Sequence, residues 1–181
     1  MRDFNVVTPI GSIFENRFHK KLGNPVSKLE EEKLVEFVAY CLNPNHFHFL
    51  LKQVSDGGAQ EFMHRLGGGY TKYFNHRYKR VGSLFQGPFK AIHVDNDEYL
   101  LHLSAYINLN DRVHGLGIDA QKLHRSSWNE YLGKTETNLC AKEIILERFN
   151  SIADFTEYAL DAVRTTIEGR APLEVRNLYS E

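Results

Sequence analysis

Two histidines separated by one residue, His46 and His48, stand inside the run Asn43-Pro44-Asn45-His46-Phe47-His48-Phe49-Leu50-Leu51. Neutral imidazole is a common ligand for divalent cations, so the question is whether the two rings share a face. The residues before the run, Val35 to Leu42, are rich in β-branched and aromatic types and predict a strand. Asn-Pro-Asn supplies turn chemistry and a second apolar strand follows, which makes the unit a hairpin. Alternate side chains share a face of a strand, so His46 and His48 point one way and Phe47 and Phe49 the other. Two imidazoles about 7 Å apart on one face can hold a divalent metal between them. The plainer reading is that both line a half-polar sheet face.

A second polar set lies between Asp97 and Asn110. Asp95 or Asn96 starts a helix with acids, Asp97 and Glu98, in its first turn. Leu100, Leu103, Ile107 and Leu109 give it apolar positions. At about 100° per residue, Tyr99, His102, Tyr106 and Asn110 fall in one polar stripe. Tyr106 and Asn110 are four apart and can address the same small volume. A tyrosine hydroxyl, with an unperturbed pKa of about 10, is a weak nucleophile. It attacks well when something positive stabilises the phenolate or activates the electrophile. A divalent cation held by two histidines and one amide oxygen does the second by polarising a phosphoryl oxygen. Taken alone, Tyr106 also reads as a tyrosine packed between helix and sheet. Tyr99 competes as nucleophile, but Asp95, Asp97 and Glu98 around it disfavour a phenolate.

The rest of the chain must position these two sets. At 181 residues it is one domain, or one domain with a modest extension. A hydrophobic content of 42% and an aromatic content of 12% suffice for a packed core and exclude general disorder. No apolar run approaches a membrane span and no signal-peptide pattern opens the chain, so the expectation is a soluble, cytoplasmic protein without a membrane partner. Cys41 and Cys140 form neither a disulfide framework nor a CxxC pair.

Net charge is −1, yet it is unevenly spread. Between Glu61 and Val94 six Lys/Arg stand against Glu61 alone, while from Ser126 onward ten Asp/Glu stand against six Lys/Arg. Such asymmetry marks a candidate nucleic-acid surface that the mean conceals. Phe4 to Val7 and Ile13-Phe14 read as short strands, and Ser27 as the cap of a short helix through Lys33. Ala59 to about Tyr78 has helical periodicity, with Gly67-Gly68-Gly69 suggesting a kink or a close backbone approach. A Gly- and Pro-punctuated loop then leads to an expected strand over Lys90–Val94. Past Trp128 the expectation is an acidic helical extension: Ala141 to Phe149, then Ile152 to about Ile167. Residues 1–125 thus read as the main domain and 126–181 as the extension.

Taken together, the hairpin motif Ala39–Leu51, Tyr70-Thr71-Lys72-Tyr73-Phe74-Asn75, Gly82–Gly87, Phe89-Lys90, Asp97-Glu98-Tyr99-Leu100 and Tyr106-Ile107-Asn108-Leu109-Asn110 resemble the single-tyrosine HUH transposases. Among these the chain is most similar to the REP-associated tyrosine transposases. The resemblance runs from about Val35 to Trp128, and more loosely to Phe149. It implies an α+β fold, an antiparallel sheet of ferredoxin-like type with helices on one face. It implies a metal-dependent enzyme that cleaves and rejoins single-stranded DNA at hairpins through a 5′-phosphotyrosine. His46, His48 and Asn110 match the Mg²⁺ or Mn²⁺ ligands, and Tyr106 the nucleophile. The expected partner is hairpin-bearing single-stranded DNA in a nucleoid-associated setting, with a monomer and a homodimer both open. Lys72, Arg77, Lys79, Arg80 and Lys90 are the candidate phosphate contacts, with Phe85 and Gln86 touching bases. Two features depart from the family pattern. No Tyr-His strand followed by Arg-Gly is found in residues 1–23, and Asp111 stands where Pro usually follows the asparagine. A non-catalytic DNA-hairpin binder of the same descent is the alternative.

Overall fold

The computed structural model describes residues 4–7, 32–114 and 118–169. In chain order the elements are β1 (Val35–Leu42), β2 (Phe47–Gln53), α1 (Gly58–Tyr78), α2 (Asp97–Asn108), α3 (Asn110–Val113), α4 (Ile118–Leu123), β3 (Arg125–Ser126), α5 (Trp128–Tyr131), α6 (Glu143–Leu146) and α7 (Ile152–Ile167). The strands form an antiparallel three-stranded sheet in the order β2-β1-β3, so the class is α+β. Cys41 pairs with Ser126 and Leu42 with Arg125. The expected hairpin is present: Asn43 N–H donates to the His46 carbonyl across the Asn-Pro-Asn turn at 2.9 Å.

Two compact units share the chain, one made of Met1–Glu36 and Lys52–Ala91, the other of Phe37–Leu51 and Ile92–Glu181. In the first, α1 begins where Gly58 must be glycine, because a Cβ there would collide with the Leu34 carbonyl oxygen. That carbonyl already accepts the Val54 and Ser55 N–H groups at 3.1 and 3.3 Å. Phe62 is fully buried. Asn5 clamps Val35 with both ends of its amide, at 2.7 and 2.9 Å. Helix α1 ends on Lys79 in the left-handed conformation, φ 52°, whose N–H returns to the Asn75 carbonyl.

Several local expectations are corrected here. Helix α1 is continuous through Gly67-Gly68-Gly69, and a Cβ at Gly67 or Gly68 would meet nothing within 4 Å, so no close backbone approach explains those two glycines. Lys90–Val94 is irregular rather than a strand, and so is Phe4–Val7 apart from a helical turn at Phe4. A strand needs a neighbour to satisfy its backbone groups, and these segments pair with none of the three described strands. Glu32 and Lys33 are not helical. The rest of that expected helix, and Ile13-Phe14, lie outside the described residues.

In the second unit, Asn96 caps α2 by accepting the Tyr99 N–H at 2.7 Å. Every residue from His102 to Asn110 is buried. The expected helix to Asn110 breaks one residue early, at Leu109 (φ −115°), and restarts as α3. The segment past Ser126 packs into the same core: α7 lies on α2, and Phe155 is fully buried among Trp128, Tyr131 and Phe149. Ser151 caps α7 through the Asp154 N–H, and α7 ends at Ile167 as its periodicity predicts. The expected helix over 141–149 contracts to the single turn of α6.

Phe155→Ala is expected to cost about 3–5 kcal/mol, because removing its ring leaves a cavity the three aromatic neighbours cannot close. Ile167→Ala, at an exposed position, is expected to stay within about 0.5 kcal/mol of the parent. Urea denaturation of both variants checks the contrast.

Candidate functional site

Within the second unit the hairpin and α2 bring His46, His48, Tyr106 and Asn110 together. His46 lies at the mouth of the hairpin, immediately before β2, rather than on the strand itself. Its ring centroid is 5.1 Å from that of His48, which in turn is 5.8 Å from the Tyr106 ring. The side-chain alternation is as expected on the other face, where Phe47 and Phe49 stack at 4.7 Å. On α2, Tyr106 and Asn110 do share one volume, although α3 has already begun at Asn110. The remaining members of the polar stripe go elsewhere. His102 turns to the C-terminal helix, its Nε2 3.0 Å from Thr166 Oγ1, and Tyr99 is buried in the core.

The hydrogen bonds fix which ring atoms face the cluster. His46 Nδ1 stands 2.8 Å from Asn45 Oδ1, an acceptor, so Nδ1 carries the proton and Nε2 keeps its lone pair. That lone pair, and the Asn110 Oδ1, both meet the same atom, Asn43 Nδ2, at 2.8 and 2.7 Å. His48 Nε2 and Asn110 Nδ2 are buried without a hydrogen-bond partner among the described residues. An orphaned imidazole nitrogen is expensive unless something coordinates or bonds to it.

Burial, and then the neighbouring His46 and His114, push the His48 pKa down to about 4. Burial and His114 lower that of His46. Both rings are therefore neutral near pH 7, the form that can donate a lone pair to a cation. The donor set is two imidazoles and one amide oxygen. Among the described residues no three His, Cys, Asp or Glu side chains gather as a metal site. Two neutral nitrogens and an amide oxygen, one nitrogen orphaned, fit a divalent cation that keeps open positions.

Tyr106 is nearly fully buried, and burial pushes its pKa up to about 12, with the Asn110 amide pulling it down and Cys41 adding to the rise. A phenol in that state needs a base or a cation to attack. The hydroxyl oxygen is 3.0 Å from His114 Nε2, and the His114 ring lies 6.1 Å from that of His46.

Three residues that the linear motifs do not single out thus belong to the cluster: Asn43, His114 and His124. Asn43 sits in the turn, and its type reads there as turn chemistry. His114 lies eight residues past Tyr106, beyond the end of α2, where helical spacing carries no information. His124 arrives from the segment before β3, with Nδ1 2.9 Å from Asn43 Oδ1 and Nε2 3.7 Å from Asp111 Oδ1. Asp111, the residue that departs from the family pattern, faces His124.

The candidate DNA-contacting residues all lie in the first unit. Lys72 and Arg77 are exposed on α1, Lys79 caps it, and Arg80, Gln86 and Lys90 are exposed beyond it. Arg80 also sits over the Phe74 ring, 5.6 Å from its centroid. Phe85 stands 6.4 Å from Tyr70, and Tyr70, Tyr73, Tyr78 and Phe89 are exposed large aromatics on the same stretch. Cations interleaved with exposed rings suit an extended polyanion with stackable bases.

The family model described as "Transposase IS200 like" matches residues 10–110, just over half of the chain. No curated protein and no solved structure matches it. The α+β architecture and this match define a DNA-mobilising class of protein. The chain belongs to the IS200-like transposase family. Among the described residues no helix is long and apolar enough to cross a membrane.

The depressed His48 pKa gives a stability prediction. Between about pH 6.5, where an unfolded histidine titrates, and about 4, where His48 titrates, the unfolded chain binds the extra proton. Stability is therefore full above that window and is lost as pH falls through it. The His48 contribution is on the order of 2 kcal/mol after allowance for partial exposure. His48→Gln is expected to flatten the fall of melting temperature between pH 7 and 4, measured by circular dichroism.

Proposed function

We propose that this transposase cuts and rejoins single-stranded DNA at hairpins, with Tyr106 as nucleophile and His46, His48 and Asn110 holding Mg²⁺ or Mn²⁺. The observation that supports it best is the buried, unpartnered His48 Nε2 next to the Tyr106 ring. When bound, the cation supplies Lewis acidity to a phosphoryl oxygen. The Tyr106 oxygen attacks phosphorus, forming a phosphotyrosine bond to the 5′ side as the bond to the 3′ oxygen breaks, and that oxygen takes a proton from solvent and leaves as a hydroxyl. His114 Nε2, already 3.0 Å from the phenol, is where the phenol proton goes. Rejoining reverses these bonds, so the phosphodiester's energy is kept and no nucleotide cofactor is needed.

On this reading the sheet is the described part of a ferredoxin-like layer, residues 1–125 are the transposase domain and 126–181 its extension, and the subtype is REP-associated. The motifs in Tyr70–Asn75, Gly82–Gly87 and Tyr106–Asn110 carry the wider single-tyrosine resemblance within which that subtype is proposed. The cationic and aromatic stretch from Lys72 to Lys90 takes the single strand, and the site of action is the nucleoid.

Tyr106→Phe is expected to abolish the covalent protein–DNA adduct while hairpin binding survives, whereas Tyr99→Phe still forms it. Mass spectrometry of the trapped adduct places the phosphotyrosine; finding it on Tyr99 overturns the assignment, and no adduct with any hairpin favours the non-catalytic binder. Neutralising Arg77, Lys79 and Arg80 together is expected to flatten the slope of log affinity against log salt by roughly 0.7 for each phosphate that goes unneutralised. Fluorescence anisotropy across a salt series measures it, and an unchanged slope puts the strand elsewhere.

A further inference from the structure

Asn43 is held between the two halves of the proposed cation site. Its Nδ2 donates to Asn110 Oδ1 at 2.7 Å and lies 2.8 Å from His46 Nε2. Those are two of the three ligand atoms assigned above, so one N–H₂ group spans the lone pairs that would otherwise converge on a cation. An amide nitrogen cannot ligate a cation, but the oxygen two bonds away can, and it is a hard donor suited to Mg²⁺ and Mn²⁺. The two ends of an amide are nearly isosteric, so exchanging them needs only a half-turn about the last side-chain bond.

We propose that Asn43 is a fourth side-chain ligand of this site, entering by an amide flip that turns Oδ1 toward His46 and Asn110. The inference rests on the reading of His46, His48 and Asn110 as cation ligands.

What lies on the far side of the amide is suited to receive the flip. Asn43 Oδ1 is 2.9 Å from His124 Nδ1 and 3.5 Å from Cys41 Sγ. Because Oδ1 is an acceptor, His124 presently carries its proton on Nδ1. Its Nε2 lone pair then faces the Asp111 carboxylate at 3.7 Å, which is a poor arrangement for either group. After the flip, Asn43 Nδ2 donates to His124 Nδ1, the ring proton moves to Nε2, and Nε2–H addresses the Asp111 carboxylate. The thiol of Cys41, kept protonated by burial, remains a weak partner on either setting. No hydrogen bond is lost on the His124 side, and one acquires a charged acceptor. Asp111 and His124 thus act as positioning residues for Asn43.

The test uses the full chain. Mn²⁺ affinity is measured by isothermal titration for the parent, Asn43→Ala, the near-isosteric Asn43→Asp, and His48→Ala, with a thermal melt of each. ¹⁵N spectra of the histidine rings are recorded with and without saturating Mg²⁺. The expected result is Mn²⁺ binding weakened roughly ten-fold or more in Asn43→Ala and retained or strengthened in Asn43→Asp, with His124 moving from the Nδ1–H to the Nε2–H form on Mg²⁺ addition. Unchanged or tighter binding by Asn43→Ala shows a bystander or a competitor for the ligands and overturns the proposal, while His48 dependence leaves the underlying site standing. An unmoved His124 tautomer overturns the flip. A parent chain that does not bind Mn²⁺, or a His48→Ala variant that binds as well as the parent, removes the underlying reading and this one with it.

Discussion

The second unit depends on a helix whose last two turns are buried all the way round. From His102 to Asn110 no side chain of α2 or of its junction with α3 reaches solvent freely. A half-exposed helix can slide or rotate by relaxing its wet face, whereas this one is met on every side. Leu103, Ile107 and Leu109 enter the hydrophobic core, and α7 covers α2. Asn108 accepts a hydrogen bond from Ser127 Oγ at 2.6 Å, and the same oxygen receives the Tyr40 N–H of β1 at 3.0 Å. Rotation of α2 would break these bonds in a place where water cannot replace them. The direction of the Tyr106 hydroxyl is fixed by that restraint.

Burial also sets the chemistry. It raises the Tyr106 pKa and lowers those of His46 and His48, so one environment keeps the phenol protonated and both imidazoles neutral. The same low-dielectric surroundings that hinder the phenol would strengthen its interaction with any cation held by the histidines. Around them the nearest polar partners are uncharged amides: Asn45 meets His46 Nδ1, and Asn43 lies between His46 Nε2 and Asn110 Oδ1.

The polar part of the core follows a similar logic. Glu130 is buried, and its carboxylate accepts from Tyr40 Oη and from the Leu139 and Cys140 N–H groups. Lys142 reaches the Glu130 carbonyl. Three donors satisfy the charge, and in doing so they join β1 to the chain that leads into α6 and α7. Residues far along the sequence thereby stabilise the strand that carries the histidine turn.

Local pattern determined much of this in advance. The hairpin was legible because β-branched and aromatic residues precede Asn-Pro-Asn and a short apolar run follows it, and α2 because an asparagine cap precedes acids and periodic leucines. His46, His48, Tyr106 and Asn110 were legible as types and spacings within those two elements. What short-range pattern could not determine was partnership across distance. Gly67-Gly68-Gly69 carries a signal for a bend, yet the helix continues, since backbone bonding within α1 outweighs an intrinsic preference worth about 1 kcal/mol per glycine. Lys90–Val94 has strand-forming residues but pairs with none of the described strands. His102 and Tyr106 share a stripe, but only packing against α7 sends His102 to Thr166 and leaves Tyr106 with His114. Asn43, His114 and His124 converge from three segments with no common period. Only the tertiary structure decides that convergence, because it depends on which surfaces the buried α2 brings within a hydrogen bond's length.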